Sequence, residues 1–351
     1  MNFIITLIIL LFILGLIISV HEFGHFIAAK KSGVYVEEFS IGMGPLIFKH
    51  KPKKSETTYS LRLLPIGGFV AMSEREEDDK KIKKDRVLEN KGFLKQFWVF
   101  INGIVFNFLL AMVIFFISGL IFGRPIENSI VAGVPQDYPA YQSGIEVGDE
   151  IIKVNGVNID TYYDFSVEVN AKKSKNEYTL TVKKIDGSIK EIVIKPIVEK
   201  INNEEVKRFG VSFKTQYKKG LGQALIYSIE GVVDTTVKIW DTLVMLFTRQ
   251  ISTKNLSGPV GMYSIIDSAR SNGFINILYI TAYLSINVGI INLFPIPVFD
   301  GGRILILCIE KILKRKTSKD LEIGLNLVGF GLMILLMIFV TFNDIARLFG
   351  G

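Results

Sequence analysis

The chain has 351 residues, 49% hydrophobic and only 21% charged, with a mean hydropathy of +0.37, too apolar for an ordinary soluble protein and a poor fit to disorder, collagen or a basic nucleic-acid-binding protein. The 41 Lys and Arg against 34 Asp and Glu give +7, and the length suggests two folded units. One cysteine, Cys308, excludes an intramolecular disulfide and a cysteine-based zinc cluster, so histidine-dependent metal chemistry must draw on His21, His25 and His50 with carboxylates completing the set.

Met1–His21 is the first of four stretches without Asp, Glu, Lys or Arg that are long enough to cross a bilayer, which takes about 20 helical residues. A signal peptide is the other reading of an apolar N-terminal run, but no positive n-region or small-residue cleavage site accompanies it. The run ends in His21-Glu22-Phe23-Gly24-His25. On a helix, residues i and i+4 share a face, so both imidazoles can approach one ion, with the glutamate between them placed to take a proton from the attacking water. A satisfied structural cluster is the bland reading. Two histidines and a glutamate are nevertheless expensive to bury in an apolar span without a purpose, and with no cysteine nearby zinc is the expected metal.

A loop rich in lysine follows, with Lys49-His50-Lys51-Pro52-Lys53-Lys54, the stretch Leu64–Val70, the charge run Glu74–Asp79 and Lys80–Lys84. The second stretch is Gln96–Gly123. Beyond it, Ile130–Val134, Glu150–Val154, Tyr178–Lys183 and Ile189–Ile194 read as short strands, the last two flanking a hairpin signal at Ile185-Asp186-Gly187-Ser188, and Tyr162–Ala171 reads as a helix. Leu221–Phe247 is helical and apolar, with Glu230, Asp234, Lys238 and Asp241 on one stripe, which favours an interfacial helix over a fifth span.

The third stretch, Ser271–Phe299, is followed at once by Asp300, and the fourth is Ile323–Asn343. Lysines and arginines flank the spans so that the loops after the first and third are cytoplasmic, leaving both termini and 124–270 outside. Solvated cytoplasmic loops explain these basic runs without nucleic acid. Catalytic zinc usually takes three protein ligands. His50 is one candidate for the third, though its lysine-rich loop favours a solvated role. Asp300 is the other: Pro295 and Pro297 break the helix before it, and it ends a span on the side where His21 and His25 lie. Alone, Asp300 reads equally as a cap of the following helix; its matching depth favours the metal.

HEFGH in a first span, paired with Asn292-Leu293-Phe294-Pro295-Ile296-Pro297-Val298-Phe299-Asp300-Gly301-Gly302 in a later one, resembles the site-2 protease family of intramembrane zinc metalloproteases, nearest the bacterial regulator-of-sigma-E protease type. Leu64–Val70 is similar to that family's membrane-associated β-hairpin region. Asn102–Phe108 resembles its second-span segment, with Asn102 and Ile104 departing from the usual alanine and proline. Leu256–Gly261 resembles the motif before the third span, Asn343-Asp344 the one closing the fourth, and Ala140–Gly156 a PDZ core.

The resemblance implies a polytopic α-helical membrane protein of about four transmembrane helices with an inserted extracytoplasmic α+β PDZ domain. It divides into 1–123 (HEFGH helix, hairpin region, second span), 124–215 (one PDZ-like domain), 216–270 (membrane-surface segment) and 271–351 (C-terminal membrane part). It implies His21, His25 and Asp300 as ligands of one Zn2+, Glu22 as catalytic base, and Asn292 as a substrate-holding residue. Gly67, Gly68 and Phe69 belong to a stretch, Gly67–Met72, that reads as an edge strand able to pair with an unwound substrate or as a loop on the membrane surface. The expected activity is regulated intramembrane proteolysis in the bacterial cytoplasmic membrane. Expected partners are the lipid bilayer, single-span membrane proteins already trimmed outside (such as anti-sigma factors or signal-peptide remnants), and peptide ends at the PDZ domain. A silent scaffold would not need HEFGH, and a metal transporter should spread its ligands along a path.

Overall fold

The computed structural model describes residues 2–75, 82–171, 176–201, 204–248 and 257–349. Residues 76–79 of the acidic run, Lys80, Lys81 and Leu256 lie outside them. Four helices among the described residues are long and apolar enough to cross a bilayer, and the chain is a polytopic membrane protein. It divides into two compact units, 1–118 with 224–350, and 119–223.

In the first unit, helix α1 (Asn2–Lys31) continues ten residues past the apolar run, so HEFGH lies within it. Lys30 and Lys31 suit its C-terminal carbonyls. Gly33, at φ +72°, ends it in the left-handed turn that glycine adopts readily. Strands β1 (Val36–His50) and β2 (Thr58–Met72) follow and fold back on one another. Residues 36–41 lie opposite 68–72 on one side and 58–61 on the other, while 46–50 lie opposite 59–62. The spatial order is therefore 46–50, 59–62, 36–41, 68–72, which leaves 68–72 at an edge. Gly42, at φ +82°, permits the bend in β1; a Cβ there would sit 2.7 Å from the Leu64 carbonyl oxygen.

Two short 3-10 turns lead to helix α2 (Phe93–Ile121). The second unit then begins with β3 (Arg124–Gly133), α3 (Pro139–Gln142), β4 (Glu150–Val154), β5 (Val157–Asn158) and α4 (Tyr162–Ala171). It continues through β6 (Tyr178–Lys183), β7 (Ile189–Ile194), β8 (Ile197–Ile201), β9 (Glu204–Arg208) and β10 (Ser212–Lys218). Its main sheet runs β10-β3-β4-β6-β7, with β5 paired to β4, and β8 pairs β9. The core packs Val131, Ile151, Val154, Phe165, Tyr178, Leu180 and Val182. Three expected strands and α4 coincide with their sequence bounds. The first differs: β3 begins at Arg124 because β10 pairs along that longer stretch, and Val134 falls beyond it.

Helices α5 (Leu221–Phe247), α6 (Pro259–Ser271), α7 (Phe274–Asn292), α8 (Asp300–Leu313) and α9 (Lys319–Phe349) complete the chain. The third apolar stretch is corrected here. Its helix ends at Asn292, and Asp300 opens α8 instead of ending a span. Pro295 and Pro297 lack the N–H that a continuing helix needs, and Phe294 and Ile296 before them are driven out of helical geometry.

Candidate metal centre

The 3.6-residue period of α1 brings the His21 and His25 rings together edge to face, with centroids 4.8 Å apart. Their Nε2 atoms lie 3.2 Å apart. Asp300 Oδ2 stands 3.1 Å from Nε2 of His21 and 3.3 Å from Nε2 of His25. These three residues are the group able to hold a metal ion among the described residues. Asp300 Oδ2 is buried and has no hydrogen-bond partner. His25 Nδ1 lies 2.8 Å from the Val99 carbonyl oxygen, so Nδ1 carries the proton and Nε2 turns a lone pair inward.

Three inward lone pairs repel unless a cation sits among them. Tetrahedral zinc with bonds of about 2.0–2.1 Å would separate its ligand atoms by about 3.3 Å, which matches the observed triangle. The residues fit zinc.

Helix α2 supports the two histidines from behind. Gly24 and Gly103 form its crossing with α1: a Cβ on Gly24 would lie 2.4 Å from the Asn102 carbonyl oxygen, and one on Gly103 would lie 2.4 Å from His25 Nε2. This closeness brings in Val99 and also Asn107, whose carboxamide is 3.2 Å from His21 Nδ1. The Asn107 Oδ1 atom has no partner; turning the amide over presents it to an Nδ1–H and frees His21 Nε2 for a metal. Ser285 of α7 donates to the Asn107 carbonyl oxygen at 2.8 Å. Asn102 is buried and donates to the Trp98 carbonyl oxygen of its own helix.

Asp300 is positioned by the two glycines after it. A Cβ on Gly301 would lie 2.1 Å from the Leu293 carbonyl oxygen, and one on Gly302 would lie 2.2 Å from that of Ile296. The first turn of α8 can therefore rest directly on the proline-containing turn. Phe299 precedes the helix and no side chain caps it, so the Asp300 carboxylate faces the histidines and does not act as a cap.

Glu22 is half-buried. The 68–72 edge runs beside it: a Cβ on Gly68 would lie 3.8 Å from Glu22 Cγ and 2.6 Å from the Ser40 carbonyl oxygen. Gly67, at φ +87°, packs on Met43 and Ile18. The Phe69 ring lies under the Arg62 guanidinium. Asn292 donates to the Val288 carbonyl oxygen of its own helix at 3.0 Å. His50 is exposed at the end of β1, outside the metal group. Sequence reasoning missed Val99, Gly103 and Asn107 as supports of the ligands. An asparagine inside a charge-free span was the available signal for Asn107; Val99 acts through its backbone and left none.

The profile of peptidase family M50 matches residues 9–336. A relative in Clostridium acetobutylicum is 34% identical, with 94% of each chain covered. The regulator of sigma-W protease RasP of Bacillus subtilis is 31% identical over 99% of this chain and 100% of its own. The zinc metalloprotease RasP of Oceanobacillus iheyensis is 30% identical over 98% and 99%. The solved PDZ domain of an SdrC-like protein from Listeria innocua covers 26% of this chain and 98% of its own at 20% identity, with a TM-score of 0.22, a value that carries no fold assignment.

Proposed function

The chain belongs to peptidase family M50, the site-2 proteases, and from this premise of a zinc metalloprotease of regulated intramembrane proteolysis we propose roles for its residues. His21, His25 and Asp300 hold the zinc, and Glu22 is the catalytic base. The observation that carries this is the triangle of 3.1, 3.2 and 3.3 Å formed by two imidazole nitrogens and an otherwise unpartnered carboxylate oxygen.

Bound zinc supplies the Lewis acidity that polarises the scissile carbonyl and makes water easier to deprotonate. Glu22 takes a proton from the attacking water and delivers it to the leaving nitrogen. A helical substrate hides its amide bonds within its own hydrogen bonds, so it must be extended first. The edge 68–72 offers it backbone partners beside Glu22, and Gly67, Gly68 and Phe69 line that approach. Asn292, at the C-terminus of α7, holds the extended chain from the other side.

The substrates in this reading are single-span membrane proteins already trimmed outside, such as anti-sigma factors or signal-peptide remnants. Unit 119–223 is a PDZ-like filter that takes peptide ends. Its groove of about 600 Å³ is lined by Tyr138, Tyr162, Phe165, Phe209 and Phe213, an apolar setting for a terminal side chain. The basic loops support a zinc site near the cytoplasmic face, with the filter and both termini outside.

Glu22→Gln tests the mechanism. Cleavage of a model membrane span should fall by about 10²–10⁴-fold, while zinc per chain stays at the wild-type level because Glu22 is not a ligand. Wild-type cleavage by that variant contradicts the mechanism.

A further inference from the structure

We propose that Arg303 is a positioning residue that holds the exit of the 68–72 edge in fixed register with the metal-ligand turn of α8. The inference rests on the roles assigned above to Asp300 and to that edge. Arg303 lies one helical turn beyond Asp300, and its Nη1 reaches Glu74 Oε1 at 2.8 Å. Glu74 is two residues past Met72, where β2 ends. The same guanidinium lies over the Phe100 ring, 5.7 Å from its centroid. Phe100 directly follows Val99, whose carbonyl oxygen faces His25 Nδ1. One side chain thus touches the helix that supports a histidine and the exit of the edge strand, and it stands on the turn that carries the aspartate.

The backbone around Glu74 is tied on its other side. Ser73 N–H donates to the Tyr35 carbonyl oxygen at 3.0 Å, Leu88 N–H to that of Ser73 at 2.9 Å, and Glu89 N–H to that of Glu74 at 3.0 Å. Those bonds secure the strand exit to the turn before β1 and to the loop before α2. The Arg303–Glu74 pair links that exit to the metal-ligand turn, while the neighbouring Arg75 pairs with Glu322 of α9. Both residues line a polar cavity of about 580 Å³, and their side chains keep 34% and 41% of their exposure. A pair this wet adds little to stability, so its contribution is geometric. The planar guanidinium stacks on Phe100 while its edge meets the carboxylate, which the point charge of a lysine reproduces only in part.

A strand that drifts relative to the metal still pairs with an extended substrate but presents the scissile bond off target. Arg303→Gln and Glu74→Gln should therefore each lower kcat by about tenfold, with KM changed by no more than about twofold. Zinc per chain and the unfolding midpoint should stay at wild-type values. The double variant should be no worse than either single one, since both remove the same contact. Arg303→Lys should recover part of kcat. Additive losses, a raised KM with unchanged kcat, zinc lost in step with activity, or wild-type kinetics in Arg303→Gln would each overturn the positioning role. Wild-type cleavage by Glu22→Gln overturns instead the reading on which it rests.

Discussion

Both units bury apolar side chains, but they expose opposite things. Unit 119–223 follows the rule of a water-soluble sheet: β6 alternates, with Tyr178, Leu180 and Val182 buried and the residues between them facing out. The membrane unit turns large apolar side chains outward, Leu327, Leu335 and Phe342 among them, and keeps His21, His25, Asn107 and Ser285 inside. The difference follows from the solvent. In water an outward leucine costs free energy, whereas in lipid it costs nothing, and a polar group must find its partner within the protein. The same exclusion makes each inward polar group find a partner, at the metal site and away from it, as Thr6 does with Asp267.

Several substitutions break or sharpen this contrast. Gly103→Ala should have the largest effect, because its Cβ would stand 2.4 Å from His25 Nε2. Bound zinc should fall, and cleavage with it by about 10²-fold or more; metal analysis and a cleavage assay check both. Leu180→Ala, in the buried face of β6, should cost the second unit about 2–5 kcal/mol. Leu335→Ala, on the lipid-facing side of α9, should cost less than about 0.5 kcal/mol. Denaturation of the two variants in the same detergent compares them, and equal losses would mean that the outward leucine of the membrane unit is held as tightly as a core one.

Asp344 is a smaller case. Buried in α9, it accepts from the Gly261 backbone N–H at 2.8 Å and so caps α6 from another helix. Asp344→Ala should destabilise by about 1–2 kcal/mol in a thermal melt. A further small effect is electrostatic and lies in the basic loop. Hydrogen bonds from Arg86 and Lys30 hold the Glu56 carboxyl down at about 2, below its ordinary 4.5. A depressed folded value means that its stabilisation is complete above the ordinary value and is lost as pH falls toward about 2. Glu56→Gln should therefore cost no more than about 1 kcal/mol at pH 7, and the gap to wild type should close as melts are taken at lower pH.

Much of this was legible in the residues. Short β-branched runs with partial alternation placed β4, β6 and β7 at their observed ends, most plainly in β6, where one face is buried. HEFGH and the aspartate after two prolines pointed to one site. The fold-back of β1 and β2 was not legible. Ile41, Met43, Leu46, Ile47 and Phe48 are all exposed, so no alternation marks the bends that Gly42 and Gly44 permit. Pro295 and Pro297 signalled a break, but apolar residues continue through the turn to Phe299, so composition ran the third span past the end of α7 at Asn292. The support from Val99, Gly103 and Asn107 depends on a helix crossing set by Gly24, a contact between residues about 80 positions apart in the chain that no local pattern encodes.

The central claim is that His21, His25 and Asp300 together form the zinc site. It is tested most directly by zinc per chain in purified Asp300→Ala and His50→Ala, measured beside wild type. The account expects Asp300→Ala to lose most of its zinc and His50→Ala to keep a full complement. Zinc retained by Asp300→Ala and lost by His50→Ala would contradict it.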